Sequence, residues 1–505
     1  MMTPDATTHR RELARFGTFL VLVGAGLGVS YLLPAAAAIQ PWRPGEPVPL
    51  AHLFTDGQQV IEDEQGDVVV ADVPQVPVAT ATAALGSAPA EAGPSLPARP
   101  PAKGAFIEVP SGSLDHWFED LARVEAGQPG LVVRALHWGD STIAADGITV
   151  TVRERLQARF GDGGPGFMAV HADPQWNSRH DAGRYSEGDW ASKSITFAGA
   201  EVPYYGLAGV VSTATGVAHT TLTGRKVDGK RQPLQRFDLY YQCNPDGGTL
   251  HVKPAGVGGA ALDTRCERTG DAYRELRSPG STSVRVWNDG EAPVTAYGIA
   301  LETDGPGVTW ESFGVAGAGQ GSMLTQAGRH LSRQVARRDP SLLVYLTGGN
   351  ELSYPTLNVG TGAKYQETFQ LVLGRLKAGA PQASCLVMSP LDQGVRERGQ
   401  VVSKPMLDRM VDLQRKAAYS EGCAFWDARA AMGGSGAFQR WLGQKPPLAW
   451  TDLIHLSGAG LAIMGHSMAD SLEFAYDHWK AEHPDRVAAI AAEVAAARAA
   501  APPQP

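Results

Sequence analysis

The sequence predicts an α/β domain interrupted by an all-β insertion. Three observations carry this. Strand-length apolar runs alternate with helical periods on both sides of the chain's middle, as in 131–136 (LVVRAL) before a helical pattern through Val150, Val152 and Leu156, and 341–346 (SLLVYL) before a helix at about 365–378. Between about 168 and 305 the helical period disappears. Short alternating runs such as 236–242, 249–253, 283–288 and 295–302 are separated there by turn clusters, including Asn244-Pro-Asp-Gly-Gly and Asp289-Gly. From Trp310 the strand–helix alternation returns. Many short strands with Gly/Pro turns indicate a β-sandwich or jelly roll, here inserted into a domain that resumes after it.

In chain order, residues 1–15 carry Arg10, Arg11 and Arg15, and 16–39 hold no charged residue. An apolar run of that length spans a bilayer as a helix, and the preceding arginines predict a cytoplasmic N-terminus and an exported remainder. The segment reads as a signal anchor, with a cleaved signal peptide as the alternative. Residues 40–104 are rich in Pro, Ala, Gly and acidic side chains, which cannot bury a core, so they read as a flexible linker. The first part of the α/β domain covers 105–168, with an amphipathic helix at 114–124, the strand at 131–136 and a helix at 146–160. The β insertion covers 169–305. Its aromatics include Trp176, Trp190, Tyr204, Tyr205, Tyr240, Tyr241 and Trp287, most expected in its core and a minority available to stack on sugar rings. The second α/β part covers 306–480. Its later elements are a strand at 383–388, a helix at about 401–419, a strand at 423–427 and a helix from Gly458 to about Phe474. Residues 481–505 form an Ala-rich tail, helical or disordered.

Composition narrows function. The 505 residues are 43 % hydrophobic and 19 % charged, with a formal net charge of −8 and no dense basic tract, which argues against nucleic acid as a partner. None of the four cysteines, Cys243, Cys266, Cys385 and Cys423, has CxxC spacing, so no structural zinc site is expected. In an exported chain Cys243 and Cys266 could pair; four free thiols are the alternative.

Chemistry centres on Gly139-Asp140-Ser141, where a strand gives way to a helix. Such a turn exposes the hydroxyl and offers free N–H groups with partial positive charge. Acyl transfer from serine needs a base, a group that orients it and oxyanion donors. His455 is the candidate base. Asp452 lies three residues before it, a spacing that puts both on one side of a turn. Gly317 has no side chain to screen its N–H, and Asn350 follows a strand and two glycines, so its amide could donate to the same oxygen. Each alone also reads as ordinary turn or cap chemistry. Together, in one order and each at a strand end, they point to an acyl-transfer site.

That order resembles the SGNH (GDSL-type) hydrolases: Gly139-Asp140-Ser141 matches their first block, Gly317 the second, Gly348-Gly349-Asn350-Glu351 the third and Asp452-x-x-His455 the fifth. The resemblance covers roughly 105–168 and 306–480. The stretches ARFGDGGPGF and GCAFWDARAAMGG, with the β-rich insertion, are most similar to the peptidoglycan O-acetylesterases, whose insertion is carbohydrate-binding-module-like. The resemblance implies a three-layer α/β/α sandwich with an inserted jelly roll. It implies an esterase that removes O-acetyl groups from a cell-envelope polysaccharide, peptidoglycan above all, with an acetylated glycan as partner. Ser141 would be the nucleophile, His455 the base and Asp452 its orienter. The Ser141 and Gly317 N–H groups and the Asn350 amide would form the oxyanion hole, with no metal or organic cofactor. Three positions depart from the family: Thr142 where relatives often carry His, Glu351 for the more common Asp, and Gly349 where many have Thr. Two other readings stay open at this level, a polysaccharide O-acetyltransferase using the same triad and a membrane-tethered glycan-binding protein with a vestigial hydrolase domain. The expected location is the periplasm or cell envelope, anchored in the inner membrane, or secreted if the segment is cleaved.

Three further motifs read as structural. The glycine-dense loop 161–167 lacks the Lys-Ser/Thr of a phosphate cradle. Gly465-His-Ser467 is a near miss to a nucleophile elbow inside a helical pattern. His171, Asp173, His180 and Asp181 form a loose polar cluster rather than a metal site.

Overall fold

In a computed structural model the described residues are 106–500, apart from 173–176, 197–203, 228 and 354–361, together with a hairpin of Gln59–Glu62 and Val68–Ala71. The apolar segment 16–39 and the rest of the linker lie outside them. Among the described residues no helix is long and apolar enough to cross a membrane.

The α/β part is built on six strands: β1 (Ile107–Glu108), β2 (Val132–Gly139), β3 (Gly307–Gly314), β4 (Leu342–Leu346), β5 (Ser384–Met388) and β6 (Ala424–Trp426). Their order in the sheet is β3-β2-β4-β5-β6-β1. All neighbours are parallel except β1, which pairs antiparallel with β6. Parallel strands need helical crossovers, which cover both faces of the sheet. The principal helices are α1 (Asp115–Glu125), α2 (Gly147–Phe160), α3 (Gly328–Arg338), α4 (Gly362–Lys377), α5 (Leu407–Ser420), α6 (Gly458–Glu482) and α7 (Pro484–Ala500).

Alternation along the strands divides the core into two layers. Leu342, Val344 and Leu346 join a cluster with Trp117 and Phe118 of α1, Val152 and Leu156 of α2, and Met464 and Met468 of α6. Leu343 and Tyr345 point the other way, to a cluster with Leu331 of α3, Phe369 of α4 and Met410 of α5. A period of two with both faces apolar is what a sheet buried between helix layers requires. The architecture is a three-layer α/β/α sandwich. The helix predicted to end near Phe474 continues to Glu482, because Tyr476 and Trp479 extend its buried face. In the Ala-rich tail α7 buries Ile490 and Val494 in the same cluster as α1.

Between α2 and β3 lies a nine-stranded antiparallel sheet. Its two halves meet along Val210–Thr223, which pairs with Gly183–Ser194 and Ser283–Asp289, and over only three residues with Val294–Glu302. Leu222, Val252, Val284 and Val286 from one half share a cluster with Phe237, Leu239, Ile299 and Leu301 from the other, so the sheet folds over its own core. This body also packs on the sandwich. Phe167, Tyr205, Leu207 and Tyr240 belong to the α3–α5 layer's cluster, and Trp138 Nε1 donates to Leu207 O at 2.8 Å.

Buried ion pairs reinforce the junction. Arg338 of α3 meets Glu302 at 2.7 Å and also binds Glu311, all three nearly inaccessible. Arg337 binds Asp238 at 2.8 Å, and His330 meets Asp271 at 2.5 Å. Buried charges persist only when paired this closely.

The glycine-dense loop is explained by backbone crowding. A Cβ on Gly161, Gly163 or Gly164 would come within 2.5, 2.8 and 2.6 Å of the main chain at Pro306, Val308 and Leu301. Gly465 and Ser467 sit within α6, where Gly465 lets Thr151 of α2 approach. In the polar cluster Asp181 is engaged by Arg153 and Arg179, while Asp173 lies outside the described residues.

Candidate active site

Sheet order creates the site. β2 lies between β3 and β4, so the loops leaving their C-terminal ends are neighbours, and these loops carry Ser141, Gly317 and Asn350. Open parallel sheets bind ligands at such an edge.

Ser141 opens a short helix, Ser141–Ala144. Asp140 caps it: its buried carboxylate accepts the Thr142 N–H at 2.9 Å. Burial pushes the Asp140 carboxyl upward against the pull of that bond. Space for the turn comes from β3. A Cβ on Gly314 would lie 1.9 Å from the Ala144 nitrogen, so only glycine lets the nucleophile turn rest on the neighbouring strand. The Val315 N–H donates to Gly139 O at 2.9 Å, which seats the Gly317 loop beside Ser141.

His455 and Asp452 occupy one tight turn before α6. Ser141 Oγ is 2.9 Å from His455 Nε2, and His455 Nδ1 is 2.7 Å from Asp452 Oδ2. The other carboxylate oxygen, Asp452 Oδ1, accepts the Ile454 and His455 backbone N–H groups at 2.9 and 3.0 Å. Partial burial pushes this carboxyl up, but the bonds from His455 and Ile454 outweigh it and hold it below the usual carboxylate range. The turn is fastened: Leu453 adopts a left-handed φ of 66°, and its carbonyl accepts the Gly394 N–H at 2.8 Å. The His455 and Asp452 side chains remain 42 % and 45 % exposed, so the site is an open rim.

Gly317 has a φ of 81°, a conformation that favours glycine. Among the described residues neither its N–H nor that of Ser141 donates to a protein acceptor. The Asn350 amide donates one N–H to Ala318 O at 2.7 Å, tying the third loop to the second. The five residues singled out in the sequence therefore stand on adjoining loops. A negatively charged oxygen held over Ser141 would meet unspent donors.

The three departures have physical accounts. Thr142 contributes to the Asp140 cap both its backbone N–H and a hydrogen bond from its side chain. Glu351 is buried and its Oε1 accepts the Gln320 N–H at 2.8 Å and the Thr347 hydroxyl at 2.9 Å, clamping the Gly317 loop to the Asn350 loop. Burial raises its carboxyl. At Gly349 a Cβ would lie 2.5 Å from Gln393 Nε2, so the Gln393 amide occupies the space a larger residue would take. Gly314 and the clamping role of Glu351 escaped the sequence reading. The signal for Gly314 was a glycine ending a strand, indistinguishable there from turn chemistry.

Comparisons with known proteins bear on family and fold. Residues 279–463 match the model of the GDSL-like lipase/acylhydrolase family. A solved peptidoglycan O-acetylesterase structure superposes with a TM-score of 0.61 at 22 % identity, covering 72 % of this chain and 97 % of that one, a likeness of fold. An acetylxylan esterase from Geobacillus stearothermophilus aligns at 16 % identity over 34 % of this chain and 74 % of its own, with a TM-score of 0.26, too low to bear on the argument. No curated protein matches the sequence.

Proposed function

We propose that this GDSL-type carboxylic-ester hydrolase removes O-acetyl groups from a cell-envelope polysaccharide, peptidoglycan above all, through an acyl-serine intermediate. The observation that carries the reading is the unbroken chain Ser141 Oγ–His455–Asp452, at 2.9 and 2.7 Å, beside two unspent backbone N–H groups. Asp452 holds the imidazole with its proton on Nδ1, leaving the Nε2 lone pair for the serine proton. As Oγ attacks the acetyl carbonyl, that proton passes to Nε2 and the oxyanion draws on the Ser141 and Gly317 N–H groups and the Asn350 amide. The imidazolium then protonates the leaving sugar oxygen. A water, deprotonated by Nε2, attacks the acyl-serine carbonyl. Collapse releases acetate and returns the proton to Oγ.

The substrate assignment is supported by the fold likeness to a peptidoglycan O-acetylesterase and by an open rim that suits a polymer. Export is supported by two disulfides, Cys243–Cys266 and Cys385–Cys423, which persist in oxidising compartments. With the apolar segment 16–39 as anchor, the domain would stand off the membrane on its linker.

The test is acetate release from O-acetylated peptidoglycan and from p-nitrophenyl acetate by the wild type and Ser141→Ala. The expected result is a loss of at least about 10³-fold on both. Undiminished activity in Ser141→Ala sinks the assignment, and acetylated acceptor sugar forming faster than free acetate replaces the esterase with a transferase.

A further inference from the structure

Trp450 is 57 % exposed, the sole tryptophan among the exposed large apolar side chains of the described residues. Single exposed apolar residues are ordinary on protein surfaces, and Ile463 and Phe474 on α6 are of that kind. Trp450 differs in its mounting. Ala449 and Leu456 form an antiparallel bridge, and the Trp450 N–H donates to His455 O at 2.8 Å. That bond closes the turn that carries the base, so the Trp450 backbone lies directly across the turn from His455, one residue beyond the bridge.

We propose that Trp450 is the platform of a sugar-binding subsite, on which the apolar C–H face of a pyranose stacks while a neighbouring ester reaches Ser141. The inference rests on the glycan-esterase reading and names the surface that would select its substrate. The indole stacks on no other ring among the described residues. Its backbone is fixed by the same turn that fixes the base: the Leu453 N–H donates to Trp450 O at 3.2 Å, and Leu453 in turn is bound by Gly394. A rigidly seated aromatic with two side-chain torsions loses little entropy on binding. A saccharide ring has apolar faces and a polar edge. It therefore suits an exposed indole mounted on the turn of an exposed imidazole and carboxylate better than a long acyl chain does, since that chain would leave apolar surface in water along an open rim.

The experiment measures binding without turnover. Full-length protein carrying Ser141→Ala is titrated with chitotetraose and xylotetraose free of O-acetyl groups by calorimetry, alone and with Trp450→Ala or Trp450→Phe added. Thermal melts verify that each protein is folded. At least one sugar is expected to bind, with Trp450→Ala weakening it about tenfold (~1.4 kcal/mol) and Trp450→Phe retaining most of the affinity. Failure of both sugars to bind, or equal binding with and without the indole, overturns the proposal. With Ser141 intact, Trp450→Ala is expected to lower the ratio of kcat/KM for O-acetylated chitotetraose to that for p-nitrophenyl acetate about tenfold. A parallel fall on both substrates marks a merely structural support of the turn, and a loss confined to p-nitrophenyl octanoate assigns the indole to the acyl chain; either overturns it. Failure of the esterase reading appears separately, as hydrolysis that survives Ser141→Ala.

Discussion

Replacing Asp452 with asparagine turns the orientation of one imidazole into a measurable rate. Asp452 Oδ1 receives two backbone N–H groups, from Ile454 and His455. Those donors cannot reverse, so in Asp452→Asn the amide oxygen must take that place and the amide nitrogen must face His455 Nδ1, now 2.7 Å from Oδ2. Two donors cannot share that contact. The imidazole is driven to the tautomer with its lone pair at Nδ1 and its proton at Nε2, pointing at Ser141 Oγ, where it cannot accept the serine proton. Loss of the right tautomer and of the charge facing the imidazolium is expected to cost about 10³–10⁴ in kcat/KM, or about 4–5.5 kcal/mol at ~1.36 kcal/mol per decade. The fold should be nearly untouched, because both backbone bonds persist and the side chain is half exposed; a stability change under about 1 kcal/mol follows. Steady-state hydrolysis of p-nitrophenyl acetate, with thermal melts on the same samples, checks both halves. Activity within tenfold of wild type at an unchanged melting temperature refutes the reasoning.

Gly314→Ala places a methyl against the backbone of the nucleophile turn, so chemical denaturation should show a loss of roughly 2–3 kcal/mol, and hydrolysis should fall at least about 100-fold as Ser141 is displaced. Arg338→Met removes the buried partner of Glu311 and one of the partners of Glu302, with an expected loss of about 3–5 kcal/mol that Arg338→Met/Glu311→Leu restores in part, Glu302 keeping Arg134 and Arg236; no recovery in the double variant's urea midpoint contradicts this. Burial pushes the Asp181 carboxyl up, but the Arg153 and Arg179 guanidinium groups outweigh it and hold it at about 2. The unfolded chain takes up this proton first, so the associated stability, about 2 kcal/mol, is complete above about pH 4 and drains away as pH falls towards 2. Urea titrations from pH 5 to 2 should show that slope in the wild type and a flatter one in Asp181→Asn.

What the sequence made legible was local. Ser141, Gly317 and Asn350 each follow a recognisable strand, and Asp452 and His455 share one turn, so short-range patterns sufficed to name them. The α/β class followed from apolar strand runs such as 341–346 alternating with helical periods, while the two helix layers followed only from the family resemblance. Relations between distant backbones were not legible. Gly314 is required by the approach of Ala144, 170 positions earlier, and nothing near it in sequence signals that neighbour. The pairing of Cys385 with Cys423 depends on β5 lying beside β6, a fact of sheet order. The end of α6 was missed because the burial of Tyr476 and Trp479 is decided by the α1 and α2 side chains they meet, and the docking of α7 because its alanine-rich stretch gives a weak helical period, while the burial of Ile490 and Val494 is decided by α1.

The insertion between α2 and β3 also sets a clock. Ser141 and His455 are 314 positions apart, and β2 cannot meet its neighbour β3 until the intervening strands have been made. At a synthesis rate of about 5–20 residues per second, the nucleophile waits roughly 15–60 s for its base. The ribosome-bound chain therefore carries a serine that cannot yet cut an ester, and the hydrolase is assembled only as its last third emerges. Truncations that stop before the Asp452 turn also lack α6 and α7, which close one face of the sheet, and should be unfolded as well as inert, so enzymatic competence doubles as a report that the chain has been made through its last helices.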